Sequence, residues 1–267
     1  MTFDEFLHDC QQHKNIADIQ LLVPKDWTQG RTAFGGLSAG LLTEVMRKKV
    51  DAERLLQSVT FNFVGPLNAE QGFGFEVNIL REGKNATQVM AHIIQDGNIC
   101  LTALASYAKQ RQSKVHVPAI HSHALTLPKK PNYIPQIPKI TPKFLRHMQL
   151  AIEDGKIPFT GAKQSTMSGW MRFKETPASL TDAHIITLID AWPPTILQMV
   201  KGPAPASTMS WNVELIHPYE TMSPDEWLAY EAETIYAKDG YAHTEAKIWS
   251  QSGQLLAISR QLVAIFD

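Results

Sequence analysis

One order of elements occurs twice in this chain, and that repetition limits its fold more than any other feature. The first copy runs from Phe34-Gly35-Gly36-Leu37 through an apolar helical stretch into Val59-Thr60-Phe61-Asn62-Phe63. Strand-like segments follow, separated by Gly83-Lys84-Asn85 and Asp96-Gly97-Asn98. The second copy runs from Asp182 through His184-Ile185-Ile186-Thr187-Leu188-Ile189-Asp190 into Ser207-Thr208-Met209-Ser210-Trp211. Its later strands are broken by Asp239-Gly240 and Ser252-Gly253. The copies lie about 155 residues apart, and only the second carries an added set of polar residues.

Local patterns say what each copy contains. Phe3, Phe6 and Leu7 give residues 3–13 one apolar face, as in a short amphipathic helix. From Gly35 to about Lys49, Leu37, Leu41, Leu42, Val45 and Met46 recur at helical spacing with no charge before Glu44. Such a helix is expected to be buried most of the way round. Val59, Phe61 and Phe63 alternate with polar neighbours, as do Phe75, Val77 and Ile79, and then Leu101, Ala103, Ala105 and Tyr107. Loops of hairpin length between them predict an antiparallel sheet, and with the helix an α+β layout. The second half opens on the strand Gly169–Phe173, continues through a helix capped by Ser179 or Thr181, and meets Pro193-Pro194, which must interrupt that helix. Trp211, Val213 and Leu215 begin the next strand, and further strands are expected at about 226–237, 241–250 and 254–266. The intervening stretch is crowded with Pro118, Pro128, Pro131, Pro135, Pro138 and Pro142 among Lys109, Arg111, Lys114, Lys129, Lys130, Lys139 and Lys143. It reads as a partly extended linker. The expected division is therefore 1–110, a linker over 111–165, and 166–267.

Composition narrows the class. A chain of 267 residues with 44% hydrophobic and 19% charged residues can bury a sizeable core. Its formal net charge of -1 offers no basic field for nucleic acid or an anionic membrane. No run of apolar residues is long enough for a membrane span. Met1–Phe6 is acidic and lacks the basic-then-apolar pattern of a signal peptide, so the cytoplasm is the expected compartment. Cys10 and Cys100 are the only cysteines and read as free thiols. His121 and His123 lie in the proline-rich stretch without a neighbouring carboxylate, a poor basis for a metal site.

The polar residues of the second copy are the candidates for chemistry. Asp190 ends an apolar helical run. Its helix dipole and partial burial would both raise its pKa, as suits a general base; an Asp pointing to solvent fits the same position. Thr208 and Ser210 share parity on one strand, so their hydroxyls are expected on the same side. Gln261 interrupts the apolar strand from Leu255 to Phe266. Taken alone, packing hydroxyls and a surface-facing amide are the commoner explanation of these residues. Gly35-Gly36, where the chain enters the buried helix, could bring backbone amides close to a ligand carbonyl or serve close packing. No Gly-x-Ser-x-Gly element or phosphate-cradling glycine loop is present.

Four short segments occur in an order that resembles the type II acyl-CoA thioesterase family, whose members are double-hotdog proteins. They are Ala33-Phe34-Gly35-Gly36, Leu80-Arg81-Glu82-Gly83, Trp170-Met171-Arg172 and Gly253-Gln254-Leu255-Leu256-Ala257. The resemblance implies two repeats, each an antiparallel sheet wrapped around a central helix. In that family an Asp, a Thr or Ser, and a Gln of the second repeat bind and activate the hydrolytic water. The matching positions here are Asp190, Thr208 and Gln261, with Ser207 as the alternative hydroxyl if the strand slips by one.

The implied reaction is hydrolysis of acyl-CoA to a carboxylic acid and coenzyme A, without cofactor, metal or covalent acyl-enzyme. Amides near Gly35 and Gly36 would stabilise the oxyanion. The acyl chain would enter an apolar tunnel, and Trp192 or Trp211 could shorten it. Association into a homo-oligomer of double-hotdog units is also expected. A non-catalytic acyl-CoA-binding protein is the alternative. An enoyl-CoA hydratase would need an Asp and a His close together on one loop, a pair not found here. The first copy offers no carboxylate, hydroxyl and amide set, so one active site per chain is expected.

Overall fold

The computed structural model describes residues 1–119, 122–137 and 141–266, so His121, Pro138 and Lys139 lie outside the described residues. Thr2 opens α1 (Phe3–Gln12) with a capping box. Its hydroxyl accepts from the Glu5 N–H at 3.2 Å, and the Glu5 carboxylate accepts from the Thr2 N–H at 2.7 Å. Phe3, Phe6, Leu7 and Cys10 form the buried face of this helix. Short strands β1 (Leu21–Leu22), β2 (Thr28–Gln29) and β3 (Thr32–Ala33) lead to α2 (Gly35–Arg47). Every residue of α2 from Gly36 to Leu42 is buried, as the absence of early charge predicts. The first half closes with β4 (Leu55–Phe63), β5 (Gly72–Glu82), β6 (Ala86–Gln95) and β7 (Asn98–Ala108).

The second half contains β8 (Met148–Asp154), β9 (Thr166–Phe173), α3 (Asp182–Ile189), β10 (Ala206–Leu215), β11 (Leu228–Lys238), β12 (Tyr241–Trp249) and β13 (Leu255–Ile265). Thr181 is the residue that caps α3. Hairpin turns repeat between the halves: Asp96-Gly97 and Asp239-Gly240 all have positive φ, the backbone that tight two-residue turns require.

Eleven strands form one antiparallel sheet in the order β1-β5-β6-β7-β4-β10-β13-β12-β11-β9-β8. The halves meet at the β4–β10 pair, where Phe61 lies opposite Trp211 and Val59 opposite Val213. All four are buried. On that inner side α2 and α3 pack against one another, with α2 over β5, β6 and β7 and α3 against β9. Glycines permit the approach. A Cβ on Gly36 would lie 2.8 Å from the Thr187 carbonyl oxygen, and one on Gly40 would lie 2.9 Å from that of Ala183 and collide with the Thr187 hydroxyl. The layout is the α+β double hotdog, two repeats sharing one sheet.

Part of the segment expected as linker is sheet. Proline density ends at Pro142, and Met148–Asp154 then alternates inward and outward and pairs with β9. Several residues of the proline-rich stretch pack on the second half. The Ile134 N–H donates to the Leu150 carbonyl at 3.0 Å. Leu125 and Leu127 pack on a satellite cluster that includes Trp170, Trp227 and Trp249. His123 stands edge-on to Trp170 with ring centres 5.2 Å apart. No helix among the described residues is long and apolar enough to cross a membrane.

Candidate active site

Asp190 sits one residue past the end of α3, and its N–H still reaches the Ile186 and Leu188 carbonyls. Because α2 and α3 run antiparallel, this C-terminal position lies against the first turn of α2. The Gly36 N–H donates to the Asp190 carboxylate. A Cβ on Gly35 would lie 2.8 Å from Asp190 Oδ2, so the missing side chain there is what admits the carboxylate. The expected adverse dipole of its own helix is thus countered by the positive end of the neighbouring one. Burial dominates nonetheless. It raises the Asp190 pKa to about 7, against the lowering influence of the Gln261 amide and the Gly36 N–H.

Two strands complete the cluster. Gln261 projects inward from β13, and its Nε2 donates to Asp190 Oδ1 at 3.1 Å. Thr208 Oγ1 donates to Gln261 Oε1 at 3.4 Å, a long contact. Asp190, Gln261 and Thr208 are thus brought together in one chain of hydrogen bonds, each only partly buried.

The expected parity of Thr208 and Ser210 is corrected by a β-bulge. Thr208 lies opposite Val263, but Ser210 lies opposite Leu262 and Trp211 opposite Gln261, so Met209 is an extra residue in β10. Paired residues share a face, which puts Thr208 inside with Gln261 and Ser210 on the outer face. Ser207, opposite Ala264, is exposed and faces away from the cluster. Gly35 and Gly36 adjoin the site, but the Gly36 amide is already engaged by Asp190.

Aromatic side chains wall the cluster, and the sequence pointed to only some of them. Phe63 lies 3.1 Å from the position a Gly35 Cβ would take. Phe34 stacks on Phe144 at 3.8 Å between ring centres. Tyr230 is near enough for the Asp190 charge, added to burial, to push its phenol pKa upward. Its inward place in β11 was readable from strand alternation; nothing in the sequence brings Phe144 to this place. Trp211 lies buried under the sheet junction, its indole N–H donating to Ser259 Oγ at 2.8 Å. Two clefts, of about 390 and 340 Å³, lie among the strands, the first lined in part by Gln261. No group of three or more His, Cys, Asp or Glu among the described residues could hold a metal ion.

Comparison with known proteins adds to this geometry. Residues 23–108 match the family model described as the acyl-CoA thioesterase N-terminal domain, and residues 124–265 match the acyl-CoA thioesterase C-terminal domain. A conserved protein of unknown function with a hot dog fold from Alicyclobacillus acidocaldarius superposes with a TM-score of 0.77 at 22% identity, over 93% of this chain and 92% of that one. The acyl-CoA thioesterase II TesB2 from Mycobacterium marinum gives a TM-score of 0.70 at 19% identity, over 88% and 90%. The tesB protein of Mycobacterium avium subs paratuberculosis gives 0.70 at 16%, over 98% and 100%. At such identities the structural likeness establishes the fold. No curated protein matches the sequence.

Proposed function

This chain belongs to the acyl-CoA thioesterase family, and from that premise we propose that it hydrolyses acyl-CoA to a free carboxylic acid and coenzyme A at Asp190. The observation that supports this most is the Thr208–Gln261–Asp190 chain of hydrogen bonds ending on a carboxyl group whose pKa is raised to about 7. A carboxyl tuned to that range is ionised in a useful fraction at neutral pH and is a far stronger base than an ordinary Asp.

In the proposed reaction Asp190 takes a proton from water as the water oxygen attacks the thioester carbonyl. Thr208 and Gln261 hold that water in line. The carbonyl π electrons move to oxygen, and first-turn amides of α2 beside Gly35 and Gly36 stabilise the charge. Collapse of the tetrahedral adduct breaks the carbon–sulfur bond, and the thiolate leaves with its electron pair. The proton held by Asp190 is then returned to solvent or to the thiolate, and no acyl-enzyme forms.

Release of free thiol from a panel of acyl-CoA esters tests the proposal. Wild type is expected to hydrolyse at least one of them, and Asp190→Ala to lose about a hundredfold or more in kcat. Equal rates in the two proteins, or tight acyl-CoA binding without turnover, would replace hydrolysis with a binding role.

A further inference from the structure

Coenzyme A is large and polar, so it must stay on the solvent side of Asp190, and the acyl group must point inward. Two stacked aromatic pairs adjoin the site, one reaching it through Phe34 beside Gly36 and the other through Tyr230 beside Asp190. Towards the first half, Phe34 and Phe144 lie parallel within 3° and 3.8 Å apart, both buried. Phe34 also caps the start of α2, so moving it would disturb the turn that contacts Asp190.

Towards the second half the partner of Tyr230 is Trp192, two positions beyond Asp190. The residue is 4% exposed, and its ring stacks on Tyr230 at 4.8 Å with an interplanar angle of 2°. Its indole N–H donates to Met171 Sδ at 3.2 Å. Its far edge, Cη2, comes within 2.8 Å of the point a Gly169 Cβ would occupy, so β9 has no side chain where the indole lies. Pro193 and Pro194 follow directly and restrict the backbone that carries the ring. Contacts from β9 and β11 therefore hold Trp192 in one place, two residues past Asp190.

We propose that the protein acts on short-chain acyl-CoA esters, with Trp192, backed by Tyr230, setting the length limit; this rests on the hydrolysis proposed above. A short acyl group needs only the immediate surroundings of Asp190, whereas each further methylene must displace a packed ring. Discrimination by an occupied apolar pocket is worth about tenfold or more per step in size.

The test measures kcat/KM for acetyl-, butyryl-, octanoyl- and palmitoyl-CoA with the full chain, by free thiol release. For wild type the palmitoyl to butyryl ratio is expected below about one tenth. Trp192→Ala is expected to raise that ratio by about tenfold or more. Trp192→Leu, which keeps an apolar side chain in the core, should raise it in the same direction and covers the case where the alanine variant does not fold. A wild-type preference for palmitoyl-CoA would overturn the length limit while leaving hydrolysis intact. An unchanged ratio in a folded Trp192 variant would overturn the role of that residue. Failure of wild type to release thiol from any ester would instead overturn the hydrolysis on which the proposal rests.

Discussion

At the residue scale, a single extra amino acid in β10 decides which hydroxyl meets Gln261. Strand alternation put Thr208 and Ser210 on one side; the bulge at Met209 puts them on opposite faces. Nothing in the local sequence marks that bulge, because it is set by pairing with β13. Asp190 and Gln261 were readable as ambiguous polar residues, and the family resemblance singled them out. The aid Asp190 receives from Gly36 was not readable, since it depends on the antiparallel approach of two helices far apart in the chain. The bulge makes a prediction. Thr208→Val, which keeps the shape and removes the O–H, should lower kcat about tenfold or more. Ser210→Ala, on the other face, should stay within about twofold of wild type. Thiol-release kinetics on the two variants checks the assignment, and the reverse order of effects would contradict it.

At the element scale, the α2–α3 contact positions the site. Turn chemistry, helix period and most strand positions were legible, and the α3 cap was narrowed to Ser179 or Thr181, of which Thr181 is the one used. β8 was not, because the proline-rich stretch before Pro142 hid the alternation that begins at Met148. The two helices come close because Gly36 and Gly40 have no side chains. A methyl group at Gly40 would meet the Thr187 hydroxyl, the Ala183 carbonyl at 2.9 Å and Phe3 Cζ at 2.8 Å. Gly40→Ala should therefore force the helices apart and cost about 1–3 kcal/mol of stability, despite the better helix propensity of alanine. Urea denaturation followed by circular dichroism measures this; unchanged or raised stability would contradict a close approach of the two helices at Gly40.

At the scale of the whole molecule, the duplication is geometrical but chemically unequal. β4 carries a bulge between Leu56 and Ser58 just as β10 does between Thr208 and Ser210. Leu56 thereby takes the place of Thr208, and Ala105, opposite Val59, that of Gln261, opposite Trp211. Counting from the first residue of each helix, Thr43 takes the place of Asp190, and its hydroxyl is spent on the Ala39 carbonyl at 2.8 Å. The first half keeps the scaffold without the polar set. One non-hydrolysable acyl-CoA thioether is accordingly expected to bind per chain in a calorimetric titration, and two equivalent sites would refute that inequality. The central claim is that the Asp190 carboxyl is the base, and the pH dependence of kcat/KM tests it most directly. Burial raises this pKa to about 7, so the group is protonated and idle below that pH and ionised above it. The profile should rise about tenfold per pH unit up to a bend near 7 and then level off; a profile flat from pH 5 to 8 would contradict the account.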